Sequence, residues 1–177
     1  MGARMTSLKN WLVIPQKPLK AACLAQAREL INSGESIAPV KAAILSGKAN
    51  PRDRGAYLLF RLFELEPQRL EEIREFILSE LPLLPARHPR WAFARIAPFL
   101  VWELDEALEV YDWLKSNLYD SSKVMQILCL EGMWELTSWL PKERAGLLPL
   151  IKQAAIKGSP GVQVRARWLL AKAGVGF

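Results

Sequence analysis

Asn50-Pro51-Arg52-Asp53-Arg54, His88-Pro89-Arg90-Trp91, Ser121-Ser122-Lys123-Val124 and Ser159-Pro160-Gly161-Val162 read as four versions of one helix opening. Each precedes an apolar helical run and follows a second, more amphipathic helix. With Pro51, Pro89, Ser122 and Pro160 taken as equivalent, the spacings are 38, 33 and 38 residues. A period in that range belongs to stacked helix pairs, an α-solenoid, an architecture that builds surfaces rather than pockets. The expected fold is therefore all-α: one domain over 1–177, an α-α superhelix of about four helix pairs. Residues 36–173 form its repeats and 1–34 its N-terminal cap.

Working outward, Pro15 and Pro18 end a short N-terminal helix, and the next helix runs to about Ile31 before Asn32-Ser33-Gly34. Ser36 opens a shorter helix. Asn50 is expected to cap a helix with Pro51 at its first position, running to about Leu65. Pro67 opens another, in which Leu70, Ile73, Ile77 and Leu81 form an apolar stripe opposite Glu71, Glu72, Arg74, Glu75 and Glu80. Residues 89–104 are apolar on nearly every side, with a kink expected at Pro98. Asp105 is expected to cap 106–118. Residues 122–138 are again apolar all round. Pro141 opens the following helix, with a second kink expected at Pro149, and the last helix spans Pro160 to about Ala173. Period-2 runs bounded by hairpin turns are absent from the sequence, so no strand is expected.

Composition excludes several classes. The chain has 177 residues and 51% are hydrophobic, too rich for disorder. No apolar run approaches the roughly 20 residues of a membrane span. Arg4 and Lys9 are followed only by the short apolar patch Trp11–Ile14, not by the longer stretch a signal peptide needs, so the cytoplasm is the expected location. Cys23 and Cys129 sit among apolar neighbours and read as buried free thiols. The net charge of +6 divides unevenly. Residues 1–58 hold nine Lys/Arg against three Asp/Glu, 59–137 eight against fourteen, and 138–177 seven against one. A uniform polyanion binder would not have that acidic middle. Neighbouring repeats that attract one another through alternating charge would.

The stretch Gly158-Ser159-Pro160-Gly161-Val162-Gln163-Val164-Arg165-Ala166-Arg167-Trp168-Leu169-Leu170 resembles the second helix of a HEAT repeat, with its turn residue and Pro, then Val-Arg, then small and large apolar residues. Asp53-Arg54-Gly55-Ala56-Tyr57-Leu58-Leu59 is a weaker copy, and Arg95-Ile96-Ala97 and Lys123-Val124 are weaker still. The resemblance covers roughly 36–173 and is to a degenerate motif. It implies an armadillo-like helical-repeat fold. HEAT-like proteins usually act as binding scaffolds, and a few bacterial ones are DNA glycosylases.

Catalytic motifs are missing. His88 is the one histidine and reads as a cap or turn residue, so neither a zinc-ligand set nor a triad can be assembled. No Gly-x-Ser-x-Gly elbow and no phosphate- or dinucleotide-binding glycine motif occurs. The acids Glu103, Asp105, Glu106, Glu109 and Asp112 fit a helix N-terminus and a wet face better than a metal site. No catalytic residue, metal or cofactor is expected.

Binding residues are a different matter. Glu131 and Glu135 share one face of an otherwise apolar helix, where a buried carboxylate without a partner would be costly. Either that face reaches solvent on the ridge of second helices, or it meets arginine from a neighbouring repeat: Arg95, Arg165 or Arg167. Trp91, Arg95, Pro98 and Trp102 fall on one face of the 89–104 helix, Arg54, Tyr57 and Arg61 on one face of the helix before it, and Trp134 and Trp168 on the remaining two. Two readings stand for these groups. They fill the gaps between layers, or they interleave aromatic rings and arginine on a shared surface. The candidate partner-binding set is thus Arg54, Arg61, Trp91, Arg95, Trp102, Glu131, Trp134, Glu135, Arg165 and Trp168.

The leading expectation is a non-enzymatic scaffold that binds a protein partner along the second helices. The alternative is a nucleic-acid-binding HEAT-like protein, related to the alkylpurine DNA glycosylases, in which Trp134, Glu131 or Glu135, and Arg165 imitate an aromatic–carboxylate–arginine cleft. No membrane contact is expected. Homo-oligomers could form through the apolar ends, Trp11–Ile14 and Ala173–Phe177.

Overall fold

Local sequence sets the helix boundaries in a computed structural model that describes residues 7–14, 20–80 and 87–176. The elements are α1 (Leu8–Leu12), α2 (Lys20–Ser33), α3 (Ala38–Ile44) and α4 (Ala49–Leu65), then a 3-10 helix over Pro67–Ile73 that runs into α5 (Arg74–Glu80). After these come α6 (Arg87–Ile96) with a 3-10 turn at Ala97–Phe99, α7 (Leu104–Ser116), α8 (Lys123–Leu136), α9 (Glu143–Lys157) and α10 (Pro160–Lys172). Among the described residues there is no strand, as expected. The expected stops at Pro15 and Pro18, Leu81, Phe177 and the side chain of His88 lie outside the described residues.

Several helix openings differ from expectation: Pro67 opens a 3-10 helix, α6 begins at Arg87 ahead of Pro89, and α9 begins at Glu143, two residues after Pro141. Helix α4 begins at Ala49, so Asn50 lies inside its first turn instead of capping it. Helix α7 is opened by Glu103, not Asp105: the Glu103 side chain accepts from the third helical N–H, and Glu106 Oε2 accepts from the Glu103 N–H at 3.0 Å. A capping box of this kind satisfies two otherwise orphaned donors. Ser122 caps α8 as its position suggests, accepting from the Met125 N–H at 3.4 Å. Pro160 occupies the first turn of α10 after an extended Ser159.

The two mid-helix prolines behave in opposite ways. Residues 89–104 are not one kinked helix: α6 stops at Ile96, Pro98 sits in the 3-10 turn and Leu100 is extended. Pro98 supplies no N–H to the Ala94 carbonyl and its ring crowds that turn, and because Pro98 is buried no water can take over. Trp102 consequently leaves the face it would have shared with Trp91 and Arg95. By contrast α9 continues through Pro149. There Pro149 and Ala145 are exposed, so the freed Ala145 carbonyl faces solvent.

The chain divides into two compact units, residues 1–76 with 84–92, and 77–83 with 93–177. In the first, α4 packs against α2, α3 and the 3-10 helix, and α1 lies on α3 and α4. Its core includes Leu30, Ile37, Leu58, Leu59, Leu62, Leu70 and Ile73. Burial pushes the Cys23 thiol up, against the lowering effect of Arg54 and Arg61, so it behaves as a small hydrophobe. In the second, α8 is the central helix, touching α7, α9, α10 and the Ala97–Phe99 turn. Its all-round apolarity follows from that position.

Tyr111 belongs to the core of the second unit, 1% exposed. Burial pushes its phenol up to about 12, with Glu143 and Asp112 adding in the same direction. In the unfolded chain the group ionises near pH 10. The stabilisation is therefore complete below about pH 10 and is lost as pH rises towards 12, on the order of 2–3 kcal/mol in all. Urea midpoints measured at about pH 9 and about pH 11.5 should fall less in Tyr111→Phe than in the wild type. An equal fall in both would remove Tyr111 as a cause of alkaline unfolding.

Candidate functional site

Helix α8 places Ile127, Glu131 and Glu135 at i, i+4 and i+8, one face by helical geometry. Helix α10 does the same for Gly161, Val164, Arg165, Trp168 and Lys172. The two helices pack together, and Ile127, Glu131, Gly161, Val164, Arg165 and Trp168, with Arg95 and Leu128, line a shallow, widely open groove of about 480 Å³; Glu135 and Lys172 continue the two faces beyond it. A Cβ at Gly161 would stand 3.8 Å from Ile127 Cδ1, an ordinary van der Waals contact, so the approach of α10 to α8 there does not depend on the glycine.

Glu131 is the electrostatic centre. Its side chain is 12% exposed and is shared by two cations: Arg95 Nη1 donates to Oε2 at 3.2 Å, and Arg165 Nε donates to Oε1. The arginine expected from neighbouring helices is therefore present on both sides, from α6 and α10. Arg167 is not part of it; its guanidinium reaches the Ala155 carbonyl and Gln163. Arg95 and Arg165 are 40% and 37% exposed, so their charge is only partly withdrawn from water. The Nη groups of Arg165 make no hydrogen bond among the described residues and remain available as a fork of donors.

Beside this triad Lys172 Nζ donates to Glu135 Oε1 at 3.2 Å. Trp168 is 47% exposed, with the Arg165 guanidinium 4.3 Å and the Lys172 ammonium 5.3 Å from its ring centre. Cations against an indole hold the ring in place while it stays wet on one side. Val164 is 67% exposed. An apolar patch with a cationic, hydrogen-bonding rim is what results.

The structure thus gathers Arg95, Glu131, Glu135, Arg165 and Trp168 of the expected set. The other five lie elsewhere. Arg54 is buried in the first unit, where Nε donates to the Ile14 carbonyl at 3.2 Å and the guanidinium lies 5.0 Å from the Trp11 ring centre. Arg61 pairs with Glu64 and lies over Phe60, and half-buried Trp91 meets Tyr57 and Phe60 edge-on at 5.6 and 5.2 Å. Trp102 is 3% exposed, its Nε1 donating to the Ala97 carbonyl at 2.7 Å. Trp134 is buried beneath Arg144, whose guanidinium is 4.6 Å from its ring centre. Ile127, Val164 and Lys172 were not singled out from sequence. Counting helical steps from Arg165 would have found Lys172, and the period of α8 would have found Ile127.

Removing the shared carboxylate is a direct probe of this arrangement. Glu131→Ala should cost roughly 1–2 kcal/mol, because two partly solvated arginines lose their common acceptor yet can turn to water. A urea midpoint equal to that of the wild type would mean that the triad adds nothing to stability.

No protein-family model matches this chain, and neither a curated protein nor a solved structure does. The described residues form an all-helical fold, and no described helix is long and apolar enough to cross a membrane.

Proposed function

We propose that the chain is a non-enzymatic protein-interaction module of HEAT-like type, with α4, α6, α8 and α10 as the second helices of successive repeats and the partner seated on the α8–α10 surface. The observation that carries this reading is the exposed Trp168–Arg165 pair beside Ile127 and Val164. Half-exposed Trp and Arg around an apolar centre are the residue types that anchor protein interfaces. The consecutive packing of α7 on α8 and α9 on α10 fits helix pairs. The cytoplasm is the compartment that suits two buried free thiols.

A nucleic-acid reading is less favoured. Buried Trp134 does not line the groove, so the aromatic–carboxylate–arginine cleft that this reading needs is not assembled there.

Selection of displayed peptides on the wild type and on Val164→Glu tests the proposal. Enrichment on the wild type that Val164→Glu abolishes is the expected result, the charge being placed on an exposed residue at the centre of the patch. Enrichment that survives Val164→Glu, or tight salt-sensitive binding of duplex or single-stranded oligonucleotides without any peptide binding, would overturn it.

A further inference from the structure

We infer that the occupant of the α8–α10 groove is an acidic segment carrying a large apolar side chain. This rests on the reading of that groove as a protein-binding surface and specifies its ligand chemistry. Two observations point the same way. First, the ionisable groups on the groove and its margin are Arg95, Arg165 and Lys172 against Glu131 and Glu135, a local excess of one positive charge. Second, each Glu131 oxygen already accepts from a guanidinium group, whereas the Arg165 Nη donors have no hydrogen-bond partner among the described residues. A planar fork of free N–H groups beside an apolar patch matches a carboxylate, which it can hold through two parallel bonds.

The apolar requirement comes from the patch between the charges. Val164 at 67% exposure, Ile127 and the free part of the Trp168 ring leave apolar surface in water. A leucine or aromatic side chain laid across them would cover it, while its acidic neighbours reach Arg165 on one side and Lys172 on the other. Lys172 donates to one acceptor, Glu135, among the described residues and Arg165 shares its carboxylate with Arg95, so neither cation is so firmly engaged that a second carboxylate is excluded.

The test is an array of synthetic peptides of four compositions: acidic with Leu or Trp anchors, acidic without anchors, basic with the same anchors, and neutral with them. Anchored acidic peptides should bind best. Trp168→Ala should weaken them about tenfold and Arg165→Gln about five- to tenfold. Glu135→Gln adds the opposite prediction: it removes a negative charge and frees Lys172, so affinity should rise about two- to fivefold. That gain cannot come from misfolding, which would only lower binding. Far-UV circular dichroism confirms each variant is folded. Basic or neutral peptides binding as well as the acidic ones, or Glu135→Gln binding more weakly, would overturn the acidic assignment while leaving the groove a protein-binding site. No peptide of any composition binding would overturn both. Concentration-dependent dimers that Val164→Glu abolishes would make a second copy of the chain the occupant, and would likewise overturn it.

Discussion

Gly132→Val should lower the stability of the 93–177 region by about 3 kcal/mol, one of the largest single-site losses expected in this chain. Gly132 lies in the middle of α8, where glycine is intrinsically poor by about 1 kcal/mol relative to Ala. The reason it is there is distance. A Cβ at that position would stand 2.7 Å from Pro98 Cγ, 2.9 Å from Leu114 Cδ1 and 3.5 Å from the Ala94 carbonyl oxygen. Leu114 can rotate its methyl away. The Pro98 ring can move its Cγ only by changing pucker, and the residue itself is buried in the turn that ends α6. Gly132→Ala should therefore be the milder change, its helix-propensity gain offsetting part of the overpacking. Valine adds two methyl groups to the same clash and must push α8 outward. Since α8 also carries Ile127 and Glu131, the displacement should reduce peptide binding at the groove as well as the urea midpoint. A midpoint for Gly132→Val at or above that of Gly132→Ala would show that the neighbours yield easily and that close packing is not the reason for the glycine.

Gly132 also marks the limit of what sequence could show. Helical type was legible throughout, because the caps and apolar periods are local signals: Ser122 before α8, Pro160 at the start of α10, the Leu70–Ile73–Ile77 stripe. The behaviour of Pro98 was not. Whether a proline kinks a helix or ends it depends on whether water can reach the freed carbonyl, and that is a tertiary fact. The Glu131 partners were legible for a physical reason, since a carboxylate on an apolar helix must find a cation or solvent, and the neighbouring helices offered few arginines. Tryptophan was not legible in the same way. Trp102, Trp134 and Trp168 have similar local surroundings, yet two are buried and one is half exposed, because the position of the next helix decides.

Arg54→Ala, the second large effect, should cost about 2–4 kcal/mol and should act on folding rather than on binding. Arg54 is 4% exposed, and burial lowers its pKa without removing its charge at neutral pH. It holds α1 from the side of α4: Nε bonds the Ile14 carbonyl at 3.2 Å, and the guanidinium lies 5.0 Å from the Trp11 ring centre. Helix α1 has only 5 residues, far below the length at which a helix is stable alone, so it depends on such ties. Alanine would leave the Ile14 carbonyl without its donor, a void beside Trp11 and no cation against the indole. Lysine should rescue little, because its single ammonium cannot place one donor at the carbonyl and a flat face on the ring. The expected signature is local: Trp11 moves towards solvent and amide exchange rises first across 8–14, before the rest of α4 is affected. Binding of acidic peptides at the α8–α10 groove should stay at the wild-type value. If Arg54→Ala instead left stability and exchange untouched while binding fell, Arg54 would have to be returned to the interaction surface.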